Sequence, residues 1–357
     1  MTAQPAPHRA LPGFDLLRIL AAVAVIFSHS YLIAQHSEAG EPVRAVTGLT
    51  AGHYGVFVFF ILSGYLISDS AARATGFWPY FDKRVRRIFP AFILCNLLLV
   101  LLVCPFYDAN QPQVFLTLPG TWLHLWDVLR FQASSLMYGS VAFFPTDGAD
   151  DLLPRVVNGV LWTIRQEFTC YLFVGLMLVL RVQPLVAAVV WAGISLAPTL
   201  WLGLQVNEFI RSFAFVAPGF AAGMLLFALA RRHRARAWLA ALSVLLLLGL
   251  ALTYGHWPTT GHYLFPALAA YPLFWFGQRQ WPVLGTLSRL GDPSYGMYLW
   301  GFPVQQVLNS RLGSGSSPVL LAVLALPVAV LLGYASWHLI EARALGPQRV
   351  GTGSAPR

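Results

Sequence analysis

The sequence predicts an all-α fold: a polytopic integral membrane helical bundle of about ten transmembrane helices. Three observations carry that expectation. Of 357 residues, 57% are hydrophobic and 10% charged, whereas a soluble domain carries about a quarter charged residues. The apolar residues gather in runs of about twenty, the length needed to cross a bilayer core as a helix. The cations are also divided unequally between the segments that join those runs.

The runs fall at 16–35, 51–69, 88–106, 157–180, 184–203, 209–230, 237–254, 261–277, 290–310 and 318–340. The first contains Arg18 and follows a short, Pro-rich stretch, so no cleavable signal peptide is expected. With the N-terminus placed in the cytoplasm, the alternating segments assign 16 of the 23 Lys and Arg residues to the cytoplasmic side. Five (Arg44, Arg130, Arg155, Arg211 and Arg311) fall on the other side, and Arg18 and Arg165 lie inside runs. That asymmetry is what the positive-inside rule predicts, and it puts both termini in the cytoplasm. The reading is one transmembrane domain over 1–345 and a disordered cytoplasmic tail over 346–357. The one long loop, 107–156, lies on the non-cytoplasmic face, with a short interfacial helix expected over 122–131.

The net charge of +9 does not point to nucleic acid, because the cations sit at the ends of membrane runs. Cys95, Cys104 and Cys170 have neither metal-site nor disulfide spacing and read as buried free thiols. No phosphate-binding glycine loop, dinucleotide fingerprint or zinc spacing occurs, so no metal and no permanently bound cofactor is expected. His124 and Asp127 are too close for the His-x4-Asp motif of glycerolipid acyltransferases.

Ionisable residues inside membrane runs are costly and by default suggest function. Arg18 and His29 lie eleven residues apart, three turns and about 20°, so they share one face of the first helix about 16 Å apart along its axis. Asp15, three residues before Arg18, reads as its local ion partner. A neutral imidazole suits His29 to general-base work; a hydrogen-bonded interior histidine explains its position equally well. Glu167, inside the fourth run, reads either as charge compensation for Arg165 or Arg18 or as support for a protonated base. Lys83, Arg84, Arg86 and Arg87, just before Pro90, read as a lipid-headgroup anchor or as a phosphate clamp. Ser63 and Gly64 lie among large aromatics, where small residues allow close helix packing.

Six segments, taken in order, resemble the acyltransferase 3 family of membrane-bound enzymes that O-acylate bacterial surface glycans. Asp15 and Arg18 through His29 resemble its Arg-x10-His motif, and Phe59-Phe60-Ile61-Leu62-Ser63-Gly64-Tyr65-Leu66-Ile67 its Phe-Phe-x-x-Ser-Gly-Tyr-Leu-Ile segment. Arg84-Val85-Arg86-Arg87-Ile88-Phe89-Pro90 resembles the Arg-x-x-Arg-Ile-x-Pro start of the third helix. Leu161-Trp162-Thr163 with Glu167 resembles Leu-Trp-Ser/Thr-x-x-x-Glu. Ser294-Tyr295-Gly296-Met297-Tyr298-Leu299-Trp300 with Pro303 resembles the ninth-helix signature, and Glu341 the closing glutamate. The chain departs at Phe57, where many relatives carry Asp, at Gly301, where many carry His, and at Glu341-Ala342-Arg343 in place of Glu-Lys-Pro.

The resemblance implies an acyl-CoA co-substrate, commonly acetyl-CoA, reaching the protein from the cytoplasm of a bacterial cell, with the inner membrane as its location. It implies a carbohydrate hydroxyl as acceptor on the other face. Arg18, Arg84 and Arg87 are the expected acyl-CoA phosphate ligands and His29 the expected base, with Glu167 supporting its protonated form. Asp15, Ser63, Trp162 and Tyr298 are expected to support the site. Direct transfer and a His-bound acyl intermediate both stay open. The competing expectations are a multi-pass transporter or flippase of a glycolipid or small solute using the same polar path, and a membrane scaffold or sensor whose buried ionisable residues only tie helices together. Acceptor identity, acyl length and oligomeric state are not legible.

Overall fold

The computed structural model describes residues 12–145, 151–201, 207–230, 235–253, 258–279, 289–313 and 315–346. The cations at 231–234 and all of the predicted tail beyond 346 lie outside the described residues. The chain is an all-α membrane protein, and a helix occupies each of the ten apolar runs.

The helices are α1 Pro12–Gln35, α2 Pro42–Thr47, α3 Ala51–Ala72, α4 Phe77–Leu102, α5 Pro112–Thr117 and α6 Pro119–Leu129. They continue as α7 Trp162–Val179, α8 Pro184–Trp201, α9 Glu208–Ala230, α10 Ala237–Thr253 and α11 Pro258–Gly277. The last are α12 Ser294–Leu312, α13 Pro318–Ser336, a π-helical turn Trp337–Glu341, and α14 Ala342–Leu345. Among the described residues, five helical stretches are long and apolar enough to cross a membrane: Pro12–Gln35, Ala51–Ala72, Phe77–Phe106, Glu208–Ala230 and Pro318–Leu345.

Helix α1 is central and packs against α3, α11, α12 and α13, while α3 also packs along α9. The α3–α9 contact is made by small residues. A Cβ on Gly64 would fall 2.2 Å from the Phe220 carbonyl oxygen, and one on Gly223 would fall 2.1 Å from that of Ile61. The two backbones approach to a distance that only glycine permits, which explains the small residues set among aromatics.

Two boundaries differ from the sequence expectation. Helix α4 begins at Phe77, so Lys83, Arg84, Arg86 and Arg87 lie within it and not at its start. Aromatic packing carries the helix ahead of the charges: Phe77 stacks on Phe81 at 5.4 Å, and Tyr80 is fully buried with its hydroxyl donating to the Tyr171 carbonyl at 3.0 Å. Helix α7 begins at Trp162 and not at 157, because 156–158 pair as a strand. Strand β1, Leu136–Met137, and β2, Val156–Asn158, run antiparallel with Leu136 opposite Asn158. The long loop is therefore a folded cap, with Phe115, Val128, Leu136, Val141 and Val157 buried beneath it. The expected interfacial helix is α6, two residues earlier at its C-terminal end than predicted.

Candidate active site

At one end of α1, Arg18 donates from Nη1 to Asp292 Oδ2 at 2.8 Å. Arg87, three turns into α4, donates from Nη2 to the same oxygen at 2.6 Å and from Nη1 to Glu341 Oε2 at 3.0 Å. Ser336 donates to the other Glu341 oxygen at 2.9 Å, and Ser294 donates through backbone and hydroxyl to Asp292 Oδ1 at 3.1 and 2.5 Å. The Arg87 guanidinium also lies over the rings of Tyr295 and Trp337, at 5.7 and 5.5 Å. One network thus joins α1, α4, the start of α12 and the π-helical turn. The turn is what delivers Glu341, fully buried, to Arg87.

Asp292 is the member that sequence reading missed. Locally it is a helix-start residue in Gly291-Asp292-Pro293-Ser294, and its partners Arg18 and Arg87 are 274 and 205 residues away. Its scarcity was a signal: it is one of 14 acidic residues in the chain, and it lies just inside the apolar run at 290–310. Gly291 before it adopts φ +96°, and a Cβ there would meet the Trp337 ring at 2.0 Å. The glycine lets the turn pass under the tryptophan that covers Arg87.

From Arg18 an open cavity of about 480 Å³ extends into the bundle, lined by residues that include Phe59, Ser63, Thr163, Glu167, Tyr295 and Tyr298. Here Ser63 and Tyr171 both donate to Glu167 Oε1, the serine at 3.0 Å. The Tyr298 and Thr163 hydroxyls are hydrogen-bonded at 2.7 Å. Arg84 lies over the rings of Tyr80 and Tyr171, at 5.9 and 5.8 Å, and its buried Nε has no hydrogen-bond partner among the described residues.

His29 stands beside this cavity but does not line it. Its ring meets Phe302 edge-on at 5.2 Å, and Phe302 lies one turn along α12 from Tyr298, which lines the cavity. Its buried Nδ1 has no hydrogen-bond partner among the described residues. The adjacent Ser28 accepts from the Gly52 backbone N–H at 2.6 Å, which fixes α1 against the start of α3. Glu167 makes its hydrogen bonds to Ser63 and Tyr171, not to His29. Asp15 is half-buried on α1, and Trp162 faces a second cavity across α7.

The departures noted in the sequence have structural counterparts. Phe57 is fully buried and stacks on Phe215 at 4.8 Å. A Cβ at Gly301 would meet the Ile26 side chain at 2.7 Å, so a larger residue there requires Ile26 to shift. No group of three or more His, Cys, Asp or Glu residues able to hold a metal occurs among the described residues.

Fold and site define a multi-pass membrane protein whose helices enclose a cavity of ionisable and hydroxyl side chains. Within that class, the chain belongs to the acyltransferase 3 family: residues 11–338 match its acyltransferase domain, so the chain is an acyltransferase. It is 28% identical over 344 residues to an O-acetyl transferase of Shigella phage Sf6, covering 93% of this chain and 95% of that one. It is 31% identical over 168 residues to nodulation protein 10 of Rhizobium leguminosarum bv. viciae, covering 46% and 44%. Over 382 residues it is 21% identical to the O-acetyltransferase OatA of Staphylococcus aureus, covering 93% of this chain and 57% of that protein. No solved structure matches.

Proposed function

We propose that this chain transfers an acyl group, acetyl by analogy with its relatives, from cytoplasmic acyl-CoA to a hydroxyl of a surface or lipid-linked carbohydrate on the opposite face. The observation that carries this reading is the cavity itself. It holds Arg18 at one end and Glu167 deeper in the bundle. One turn along α12 from its lining residue Tyr298 stands Phe302, whose ring meets the His29 imidazole, a ring with a buried nitrogen that has no hydrogen-bond partner among the described residues. The family and the O-acetyl transferase relatives support the acyl chemistry. In this reading ten helices cross a bacterial inner membrane, and both termini and the Arg18 end of the cavity face the cytoplasm.

Arg18 and Arg84 receive the acyl-CoA phosphates. Arg18 is paired with the Asp292 carboxylate, and the buried Arg84 Nε has no hydrogen-bond partner among the described residues. Arg87, already bound to two carboxylates, holds the floor of that site together. His29 takes the proton of the carbohydrate hydroxyl; the oxygen attacks the thioester carbonyl, the C–S bond breaks, and CoA leaves as the thiolate, which takes up a proton. Glu167 contributes negative charge to the cavity, favouring the imidazolium, and holds the Ser63 and Tyr171 hydroxyls in place. Thr163 and Tyr298 keep the start of α7 fixed to α12.

The test is binding and transfer of radiolabelled acetyl-CoA by purified protein, with His29→Ala alongside and the thermal stability of both measured in one detergent. The expected result is that the variant binds acetyl-CoA with unchanged stability and loses about 10²–10⁴-fold in transfer rate. Wild type that does not bind acetyl-CoA would overturn the donor assignment. A variant that transfers at the wild-type rate would remove His29 from the chemistry.

A further inference from the structure

Across α7 from the first cavity lies a second, smaller cavity, open to solvent. It is bounded by the first turns of α7 and α9 and by the cap, through Gln132, Ser134, Trp162, Arg165, Gln166 and Glu208 among others. The first turn of α7 is the wall between the two cavities: residues 162, 165 and 166 face one, and 163, 164 and 167 face the other. This placement follows from helical spacing, which turns successive groups of side chains to opposite sides.

The chemistry of the second cavity suits polyhydroxylated compounds. Gln166 is 2% exposed, its Nε2 donates to the Phe209 carbonyl at 3.5 Å, and its Oε1 is buried with no hydrogen-bond partner among the described residues. Burying an amide oxygen without a partner is costly, and a hydroxyl that donates to it relieves that cost. Arg165 lies 4.2 Å over the Phe209 ring, which presents its donors edgewise, and Glu208, within 3.5 Å of the Ser134 hydroxyl, supplies acceptor oxygens opposite. One cation and one anion line the cavity, so its charges balance. Trp162 provides an apolar ring face of the kind sugar rings cover.

We propose that this second cavity is the acceptor-substrate subsite, which binds a sugar ring of the carbohydrate through Gln166, Arg165 and Glu208. It presents a hydroxyl past the first turn of α7 toward the first cavity. This inference rests on the acyltransfer reading above, and it places the acceptor on the side of the membrane where the cap, the start of α7 and the start of α9 meet.

The experiment titrates carbohydrate extracted from the host's own envelope against purified full-length protein with radiolabelled acetyl-CoA, for wild type, Gln166→Leu, Arg165→Gln and Glu208→Gln. Acetyl-CoA binding and thermal stability are measured on the same samples. Loss of one buried hydrogen bond to a substrate is worth roughly 10–100-fold. The expected result is therefore at least a tenfold rise in the apparent KM for the extract, with kcat and acetyl-CoA affinity within about twofold of wild type. Glu208→Gln keeps the side-chain shape and gives the outcome for a variant that folds, should Gln166→Leu lose stability. Variants with unchanged acceptor KM overturn this inference while leaving the acyltransfer reading intact. Variants that lose acetyl-CoA binding instead assign the cavity to the donor and overturn it too. Wild type that binds no acetyl-CoA and labels no carbohydrate removes the underlying reading.

Discussion

Replacing Arg87 with leucine removes the cation shared by two carboxylates. The Arg87 side chain is 14% exposed, Asp292 10% and Glu341 0%, so water does not compensate for its loss. The consequences for the two acids differ. Asp292 keeps Arg18 at 2.8 Å and both Ser294 donors. Among the described residues Glu341 keeps only the Ser336 hydroxyl and becomes a buried carboxylate without a paired counter-ion. Breaking a buried pair by removing one partner costs about 3–5 kcal/mol, and the fully buried Glu341 places Arg87→Leu toward the upper part of that range. At roughly 2 °C per kcal/mol for a large domain, the midpoint of thermal unfolding in detergent should fall by roughly 6–10 °C. Adding Glu341→Leu removes the orphaned charge, so Arg87→Leu/Glu341→Leu should recover most of the loss, as expected for strongly coupled neighbours. Arg18→Leu, whose loss leaves Asp292 paired to Arg87, should shift the midpoint much less. Tryptophan fluorescence on heating reads all five proteins, with Glu341→Leu included to close the cycle. If Arg87→Leu unfolds within about 2 °C of wild type, the size of an exposed pair, the argument that this network holds the floor of the site is wrong. Strictly additive single and double variants would refute it equally.

Other consequences are open to direct measurement. Gly64→Ala or Gly223→Ala should destabilise by about 1–3 kcal/mol through forced separation of α3 and α9. Gly249→Ala, on the exposed side of α10 with nothing within 4 Å of its added methyl, should be neutral or stabilising by up to about 1 kcal/mol; paired melting curves decide. In the cap, His124 Nε2 accepts from the Met137 backbone N–H at 3.1 Å, and burial holds this imidazole below its ordinary value against the smaller opposing effects of Ser135 and Asp127. A folded-state value below the unfolded one means that its stabilising contribution is complete above about pH 6.5 and is lost as the pH falls further. Wild type should therefore lose more stability between pH 7.5 and pH 5 than His124→Asn, which cannot titrate. For Glu167→Gln, which preserves hydrogen bonding to Ser63 and Tyr171 but removes the charge, acetyl-CoA binding should persist while the transfer rate falls about tenfold or more. An unchanged rate would show that the carboxylate serves only packing.

Much of the molecule is legible in the sequence. Composition and run length determine that the chain is an all-α membrane protein, because hydrocarbon tolerates only backbones that satisfy their own hydrogen bonds. Periodicity placed Arg18 and His29 on one face of α1, and the small residues at 63–64 marked a close helix contact that the structure locates against Phe220. These properties depend on spacing within one element. The extent of α4 did not, since aromatic contacts from Phe77 to Phe81 carry the helix ahead of a cationic stretch that alone suggests a boundary. Nor did the start of α7, which waits on strand pairing across the cap.

What only the tertiary structure decided is which charges meet. Asp292 looks like a helix cap in sequence, and becomes the shared partner of Arg18 and Arg87 because α1, α4 and α12 converge there. Arg84 and Arg87, three residues apart on one helix, part company for the same reason: one lies against two tyrosine rings with an Nε unpartnered among the described residues, the other between two carboxylates. The division of α7 into two cavity-lining faces likewise depends on what packs on either side. Helical spacing along one chain fixes which residues share a face, but an ion pair or a cavity is a relation between elements hundreds of residues apart, and only packing brings them within reach.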